Sequence, residues 1–419
     1  MNLIRRKKNN LISILNLKEE SMDFNNAGKT LFKMLGVKHR IMDRSSFTTM
    51  SRPITTKNNL DRNHLIESRK KNLFRFLLNR LKWLRVPITF TFTLVMVGHL
   101  VRYQRNKNNR NDLDPYRPLP LEVSIYKLLP LRTISRFWGW INSIELPYPV
   151  RIPILKSYAK AFGCDLNEAF IQDLNEYKNL SEFFRRELKP GLRPIAGCPD
   201  DIVSPCDGSV LNVGSAQNGL LEQVKGINYT IESFLGPNTW NEFSKINSDG
   251  EDYQKSLLQN SDTDLYHCVI YLAPGDYHRF HSPANWTIRF RRHFPGKLYS
   301  VRPTFASWFP NLFSVNERVV YIGDWKFGFF AMIPVGATNV GSMRIYFDEK
   351  LKTNQTKFLL SNVFDDQSLE NINLKKGDPF GEFNLGSTIV LLFEAPKNLQ
   401  FKTSTSSKIK YGQLLGILN

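Results

Sequence analysis

The spacing of apolar positions changes character twice along this chain. Residues 86–101, from Val86 to Val101, hold no formal charge and are closed by Arg85 and Arg102. A membrane-spanning helix needs about 20 apolar residues. Trp83 and Tyr103 extend the stretch into the interface, and the flanking arginines can snorkel. The pattern therefore predicts a single transmembrane helix over 83–103, followed by a polar linker over 104–122. From 123 to 188 the apolar residues recur at helical spacing, as in Ile125, Leu128 and Leu129, then Phe137, Trp140 and Ile141. Pro147, Pro149 and Pro153 predict a break, after which Ile154 to Phe162 resumes the pattern. Ser181 reads as the N-cap of a short helix burying Phe184 and Leu188, stopped by Pro190, Gly191 and Pro194.

From Ile202 onward the period shortens. Val210–Val213, Leu265–Leu272, Thr287–Phe290, Val319–Ile322, Phe327–Ile333, Met343–Phe347 and Ile389–Phe393 are alternating or apolar runs separated by turn residues. Residues 246–263 and 349–371 are polar and read as surface loops. The expected fold class is α+β: an N-terminal transmembrane helix and a helical region, followed by a β-rich domain. One domain would run over 123–419, with a helical part at 123–188 and a β-rich part at 189–419.

Charge sharpens the picture of the N-terminus. Residues 1–85 carry 20 Lys/Arg against 6 Asp/Glu, and the rest of the chain carries 37 against 32. The basic character thus belongs to the leading segment, and no nucleic-acid motif accompanies it, so no nucleic-acid partner is expected. Basic residues interspersed with Leu, Ile and Phe, then a Ser/Thr-rich patch at 45–49, have the composition of a mitochondrial presequence over 1–50. The alternative reading is a basic tail attracted to anionic lipid. Residues 51–82 would form a basic matrix segment, with the bulk of the chain on the intermembrane-space side of the inner membrane. Cys164, Cys198, Cys206 and Cys268 show neither CxxC nor metal-ligand spacing, so no metal is expected.

The candidate chemistry centres on Phe383-Asn384-Leu385-Gly386-Ser387-Thr388. A Gly-Ser pair at the mouth of a β-branched run sets a hydroxyl beside an unhindered peptide carbonyl, and glycine tolerates a strained turn. On its own the pair is more often just a turn. Two further segments add to it: Ser204-Pro205-Cys206-Asp207-Gly208-Ser209-Val210 and Leu272-Ala273-Pro274-Gly275-Asp276-Tyr277-His278-Arg279-Phe280-His281-Ser282-Pro283. Asp207, His281 and Ser387 make an acid, base and nucleophile set. With these segments the chain resembles the phosphatidylserine decarboxylases, self-processing pyruvoyl enzymes, from about Tyr148 to Asn419. The resemblance includes Leu180–Arg186, Leu312–Arg318, Val335–Gly341 and Lys376-Gly377-Asp378.

That resemblance implies self-cleavage between Gly386 and Ser387, with His281, oriented by Asp207, accepting the serine proton. Ser387 becomes a covalent pyruvoyl group, which forms a Schiff base with the amine of phosphatidylserine and leads to phosphatidylethanolamine and CO2. His278 is the implied proton donor in decarboxylation. Chains 1–386 and 387–419 would stay paired without a covalent bond, and a homodimer is a further implied partner. His278 and His281 would share a face in a helical turn but not in a strand, and the sequence leaves that choice open. Arg279, Arg291, Arg292 and Lys297 lie near the histidines and could meet a lipid phosphate or simply face solvent. His267 and His293 are read as structural.

Overall fold

The computed structural model describes residues 120–418 apart from short internal stretches at 225–226, 241–249, 339–341, 356–363 and 385. The presequence, basic segment and transmembrane helix expected before residue 104 lie outside the described residues, as does the linker up to 119. Among the described residues no helix is long and apolar enough to cross a membrane.

Three helices lead: α1 (Pro120–Leu128), α2 (Leu131–Ser143) and α3 (Tyr148–Phe162). The prolines begin α3 rather than break it. Pro147 is its N-cap and Pro149 lies in the first turn, where no N–H is needed. Only Pro153 falls inside the helix. Gly163 closes α3 in the left-handed conformation, φ 69°. The next helix, α4 (Leu180–Phe184), is capped by Asn179 and not by Ser181. The Asn179 side chain accepts from Glu182 N at 2.8 Å, while the Glu182 carboxylate accepts from Lys178 N at 2.8 Å. This reciprocal pair resembles a capping box, which fixes the start of the helix before Ser181. Phe183 and Phe184 are buried, and Leu188 is half-buried beyond the helix end.

The β-rich part comprises β1 (Ile202–Val203), β2 (Gly208–Ser215), β3 (Leu220–Val224), β4 (Ile227–Thr230), β5 (Thr263–Leu272), β6 (Arg279–His281) and β7 (Trp286–Phe294). It continues with β8 (Arg318–Trp325), β9 (Gly328–Val335), β10 (Met343–Ile345), β11 (Asp365–Leu374), β12 (Pro379–Phe383) and β13 (Ser387–Pro396). β14 (Gln400–Phe401), β15 (Lys408–Ile409) and β16 (Leu414–Ile417) end it. One eight-stranded antiparallel sheet runs β11-β7-β8-β9-β13-β5-β2-β15. β13 lies at its centre, bonded to β5 from Ser387↔Leu272 to Pro396↔Thr263 and to β9 on its other side. Period-two alternation sends Val390 and Leu392 into one core layer with Phe234 and Phe313. Ile389, Leu391 and Phe393 enter the other with Phe280 and Phe380. A smaller sheet, β10-β12-β6, packs in the second layer.

The two polar stretches are more ordered than expected. Within 246–263 a helix, α6 (Gly250–Leu257, after α5, Ile231–Leu235), buries Tyr253 and Leu257, and the Tyr253 hydroxyl donates to Gly236 O at 2.6 Å. Residues 365–374 form β11 at the sheet edge, where Asp365 and Asp366 pair with Arg291 and Arg292 of β7. A half-buried face and partnered charges let so polar a sequence pair as an edge strand.

Candidate active site

The small sheet feeds the chain into the site. β12 ends at Phe383, whose N–H donates to His278 O at 3.0 Å, and a turn then leads to Ser387, the first residue of β13. Gly386 has φ +43°, in the left-handed region that favours glycine. Nothing lies within 4 Å of the position a Cβ would take there, so conformation rather than space selects glycine. Ser387 is completely buried and pinned to Leu272. Among the described residues its Oγ has no hydrogen-bond partner, nor does the Oγ1 of the neighbouring Thr388. An unpaired buried hydroxyl is costly, and such groups in native structures mark strain or chemistry.

His278 and His281 lie on extended backbone, in different surroundings. His278 donates from Nδ1 to Asp276 O at 2.8 Å, which leaves Nε2 bare. That Nε2 is buried with no partner among the described residues. The ring packs on Phe184 with centroids 4.0 Å apart. Burial, above all, drives the His278 pKa down to about 3, so the ring is neutral. The Ser181–Arg186 segment braces this loop: Arg186 donates to Gly275 O at 2.9 Å, Arg185 O accepts from Arg279 Nε at 2.9 Å, and Arg185 pairs with Glu382 at 2.8 Å.

His281, in β6, has both ring nitrogens engaged. Nδ1 donates to Gly377 O at 3.1 Å, and Nε2 accepts from the Tyr277 hydroxyl at 3.0 Å. Its ring stacks on Tyr411 with centroids 3.7 Å apart and planes 15° apart. Burial again dominates in lowering its pKa to about 4; Arg279 also lowers it, while Gly377 O, Asp207 and Asp378 act the other way. Asp207 belongs to an ionic cluster. It meets Arg193 Nη2 at 2.8 Å, Lys410 Nζ at 3.2 Å and Tyr411 N at 2.8 Å. Burial raises its pKa, but these donors outweigh burial and hold the carboxyl below its usual range. Among the described residues no hydrogen bond joins Asp207 to His281 or His281 to Ser387.

Gly386 and Phe184 both line a cavity of about 530 Å3. Its wall is mostly apolar, from Trp138 of α2, Tyr158 and Phe162 of α3, and Val301. Among the described residues Arg302 is the one formally charged residue on that wall. It lies next to Tyr271, whose partner across the sheet is Thr388. Nothing in the local sequence marked Arg302 out. The cations near the histidines are otherwise occupied: Arg279 pairs with Glu187 at 2.7 Å, Arg291 with Asp365 at 2.7 Å and Arg292 with Asp366 at 2.7 Å. Lys297 is exposed. His267 meets Asn212 at 2.9 Å and His293 meets Glu317 at 2.9 Å, both buried. Cys206 is buried beside Asp207, and burial first, then the carboxylate, push its thiol well above its ordinary value, which makes a poor nucleophile.

Above this cavity α2 is inverted. Its buried residues include Arg132, Ser135 and Asn142, while Phe137 (57% exposed) and Trp140 (56%) face outward. Ile134, Ile141 and Ile144 are exposed with them.

The phosphatidylserine decarboxylase family matches this chain over residues 180–417. The mitochondrial phosphatidylserine decarboxylase proenzyme of Cricetulus griseus is 50% identical, over 71% of this chain and 74% of its own length. The mitochondrial proenzyme 1 of Saccharomyces cerevisiae is 40% identical over 70% of this chain and 73% of its own. The mitochondrial proenzyme of Caenorhabditis elegans is 39% identical, over 70% and 73%.

Proposed function

This chain belongs to the phosphatidylserine decarboxylase family, and from that premise we propose which of its residues make the pyruvoyl group and use it. It is a phosphatidylserine decarboxylase, a carboxy-lyase of phospholipid metabolism, with a pyruvoyl group as its cofactor. Ser387 fits the role of parent residue. Its unpartnered, buried Oγ follows a glycine in a left-handed turn that opens on a cavity, and this observation carries the assignment.

In processing, His281 accepts the Ser387 hydroxyl proton once Tyr277 releases Nε2. Oγ attacks the Gly386 carbonyl carbon, the Gly386–Ser387 C–N bond breaks, and an ester forms in its place. Loss of the Ser387 α-proton then expels Gly386 as a carboxylate and leaves a dehydroalanine. Water converts that residue to a pyruvoyl group and releases ammonia. Asp207 supplies a fixed negative charge near His281, which favours the imidazolium that forms. Chain 387–419 stays with chain 1–386 because β13 is bonded on both sides and buried from Ser387 to Ala395.

The pyruvoyl ketone supplies a covalent anchor for the substrate amine and an electron sink for loss of CO2. His278 acts as the proton carrier: its Nε2 lone pair is free of protein partners and its Nδ1 proton is fixed on Asp276 O. The ring packs on Phe184, which lines the cavity, and an anionic substrate bound close to it raises the pKa of this ring and so lets it hold a proton to deliver. Arg302 meets the lipid phosphate, and the outward apolar side chains of α2 enter the bilayer from which the substrate comes. The substrate is phosphatidylserine. A homodimer remains an implication of family likeness.

The compartment is mitochondrial. An inner-membrane site, with 123–419 on the intermembrane-space side, rests on the uncharged stretch 86–101 and the basic residues before it. The presequence at 1–50, matrix segment at 51–82 and linker at 104–122 belong to the same proposal.

Intact-mass analysis of the purified protein tests the core of this reading. A C-terminal piece beginning at residue 387 and blocked by a pyruvoyl group is expected, and Ser387→Ala should give one uncleaved, inactive chain. An active uncleaved chain would overturn it.

A further inference from the structure

The ionic and aromatic cluster at His281 is closed by a residue from the far end of the chain. Tyr411 follows β15 and makes three contacts there. Its N–H donates to Asp207 at 2.8 Å, and the adjacent Lys410 meets the other carboxylate oxygen at 3.2 Å. Its hydroxyl donates to Gly377 O at 2.9 Å, the same oxygen that accepts His281 Nδ1. Its ring covers the imidazole at 3.7 Å, nearly parallel. On the other edge Tyr277 holds Nε2. The turn that presents Tyr411 is tightly specified. Gly412 has φ +80°, a Cβ there would stand 2.8 Å from Pro194 O, and its N–H donates to Ser204 O at 3.0 Å.

We propose that Tyr411 is a positioning residue for self-cleavage, through which docking of the C-terminal segment completes the processing site. The proposal rests on the assignment of His281 as processing base. Asp207 and His281 share no hydrogen bond, and Tyr411 is the residue that touches both. It fixes the imidazole plane by stacking and fixes the carboxylate through its backbone. Because β15 and β16 pair with β2 and β1, which precede the site in the sequence, a chain in which residues 408–417 are not yet docked has the nucleophile and the base without the brace between them. Cleavage is thereby tied to a finished fold.

The test measures self-cleavage of the full chain against pH for Tyr411→Leu, Tyr411→Phe and His281→Ala. Tyr411→Leu removes the stack and is expected to slow cleavage by about tenfold or more. It also uncovers the ring. Burial is the main cause of its low pKa, so the acid limb of the rate profile should move to higher pH. The groups facing the ring, Arg279, Asp207, Asp378, Tyr277 and Gly377 O, stay in place. Tyr411→Phe keeps the stack and is expected to cleave within about threefold of the parent chain. Its acid limb also moves up, because Gly377 O then serves His281 alone. Parent-like cleavage by Tyr411→Leu overturns the proposal. If Tyr411→Leu fails to resist limited proteolysis, Tyr411→Phe decides: an unmoved acid limb, or cleavage as slow as that of Tyr411→Leu, overturns it. Normal cleavage by His281→Ala removes the underlying assignment instead, so the two failures are distinct.

Discussion

In β13 every side chain from Ser387 to Ala395 is buried, whereas α2 turns Phe137 and Trp140 outward and hides Arg132, Ser135 and Asn142. Both segments are rich in apolar residues; α2 lines the cavity through Trp138, and β13 begins directly after Gly386, which lines it too. The difference teaches that burial against protein and exposure toward an apolar medium are separate solutions for such residues. On the cleavage proposed at Gly386–Ser387, the sheet would use apolar burial to keep the two resulting pieces together. The helix gives its inner face to polar anchoring: Arg132 donates to Gly296 O at 2.7 Å and to Gln355 O at 3.0 Å. Among the described residues its outer face is exposed, which suits a bilayer surface.

The largest expected effect comes from breaking the buried side of that contrast. Leu391 and Leu392 are fully buried on opposite faces of β13. Leu391→Ala and Leu392→Ala should each cost about 2–5 kcal/mol through lost transfer energy and a residual cavity. Denaturant unfolding of the cleaved protein reads this, and the small chain should separate from the large one at lower denaturant. Phe137→Ser with Trp140→Ser should leave that midpoint within about 0.5 kcal/mol. The pair should instead weaken bilayer contact by about 2 kcal/mol, a rise of roughly thirtyfold in apparent KM for phosphatidylserine in vesicles. Turnover of a water-soluble short-chain substrate should not change. Equal loss on both substrates would mean that α2 is ordinary protein surface and the contrast does not hold.

The sheet was legible because its signal is local. Ile389–Phe393 and Leu265–Leu272 carry the β-branched, apolar runs of strands buried on both faces, and they pair in the centre. The residues of the site could be named from ordered motifs, but their contacts could not. Tyr277 and Gly377 hold the nitrogens of His281, and Arg193 with Lys410 holds Asp207; each of these pairings except Tyr277–His281 joins residues distant in sequence. α3 was obscured because proline at a helix start and proline in a break look alike until the first turn is known. β11 was obscured because its charges find partners only across the strand pair, at Arg291 and Arg292. The inverted face of α2 has the periodicity of any amphipathic helix, and periodicity does not say which face is inside.

Arg302 is the smallest and most discriminating probe, since it stands where the two regions meet. Among the described residues it is the single formal charge on a mostly apolar wall, and it is exposed and in no ion pair with them. The Arg side chain presents a planar fork of donors suited to a phosphodiester. Replacing it removes charge-assisted hydrogen bonds worth about 1.5 kcal/mol from a site still open to water. Arg302→Gln should therefore raise KM about tenfold. Arg302→Lys should recover part of the loss, because the charge returns without the fork. Self-cleavage should proceed as in the parent chain, since the peptide at Gly386–Ser387 carries no phosphate to be met. An unchanged KM with slowed cleavage would assign Arg302 to the processing turn and leave the phosphate to be bound elsewhere.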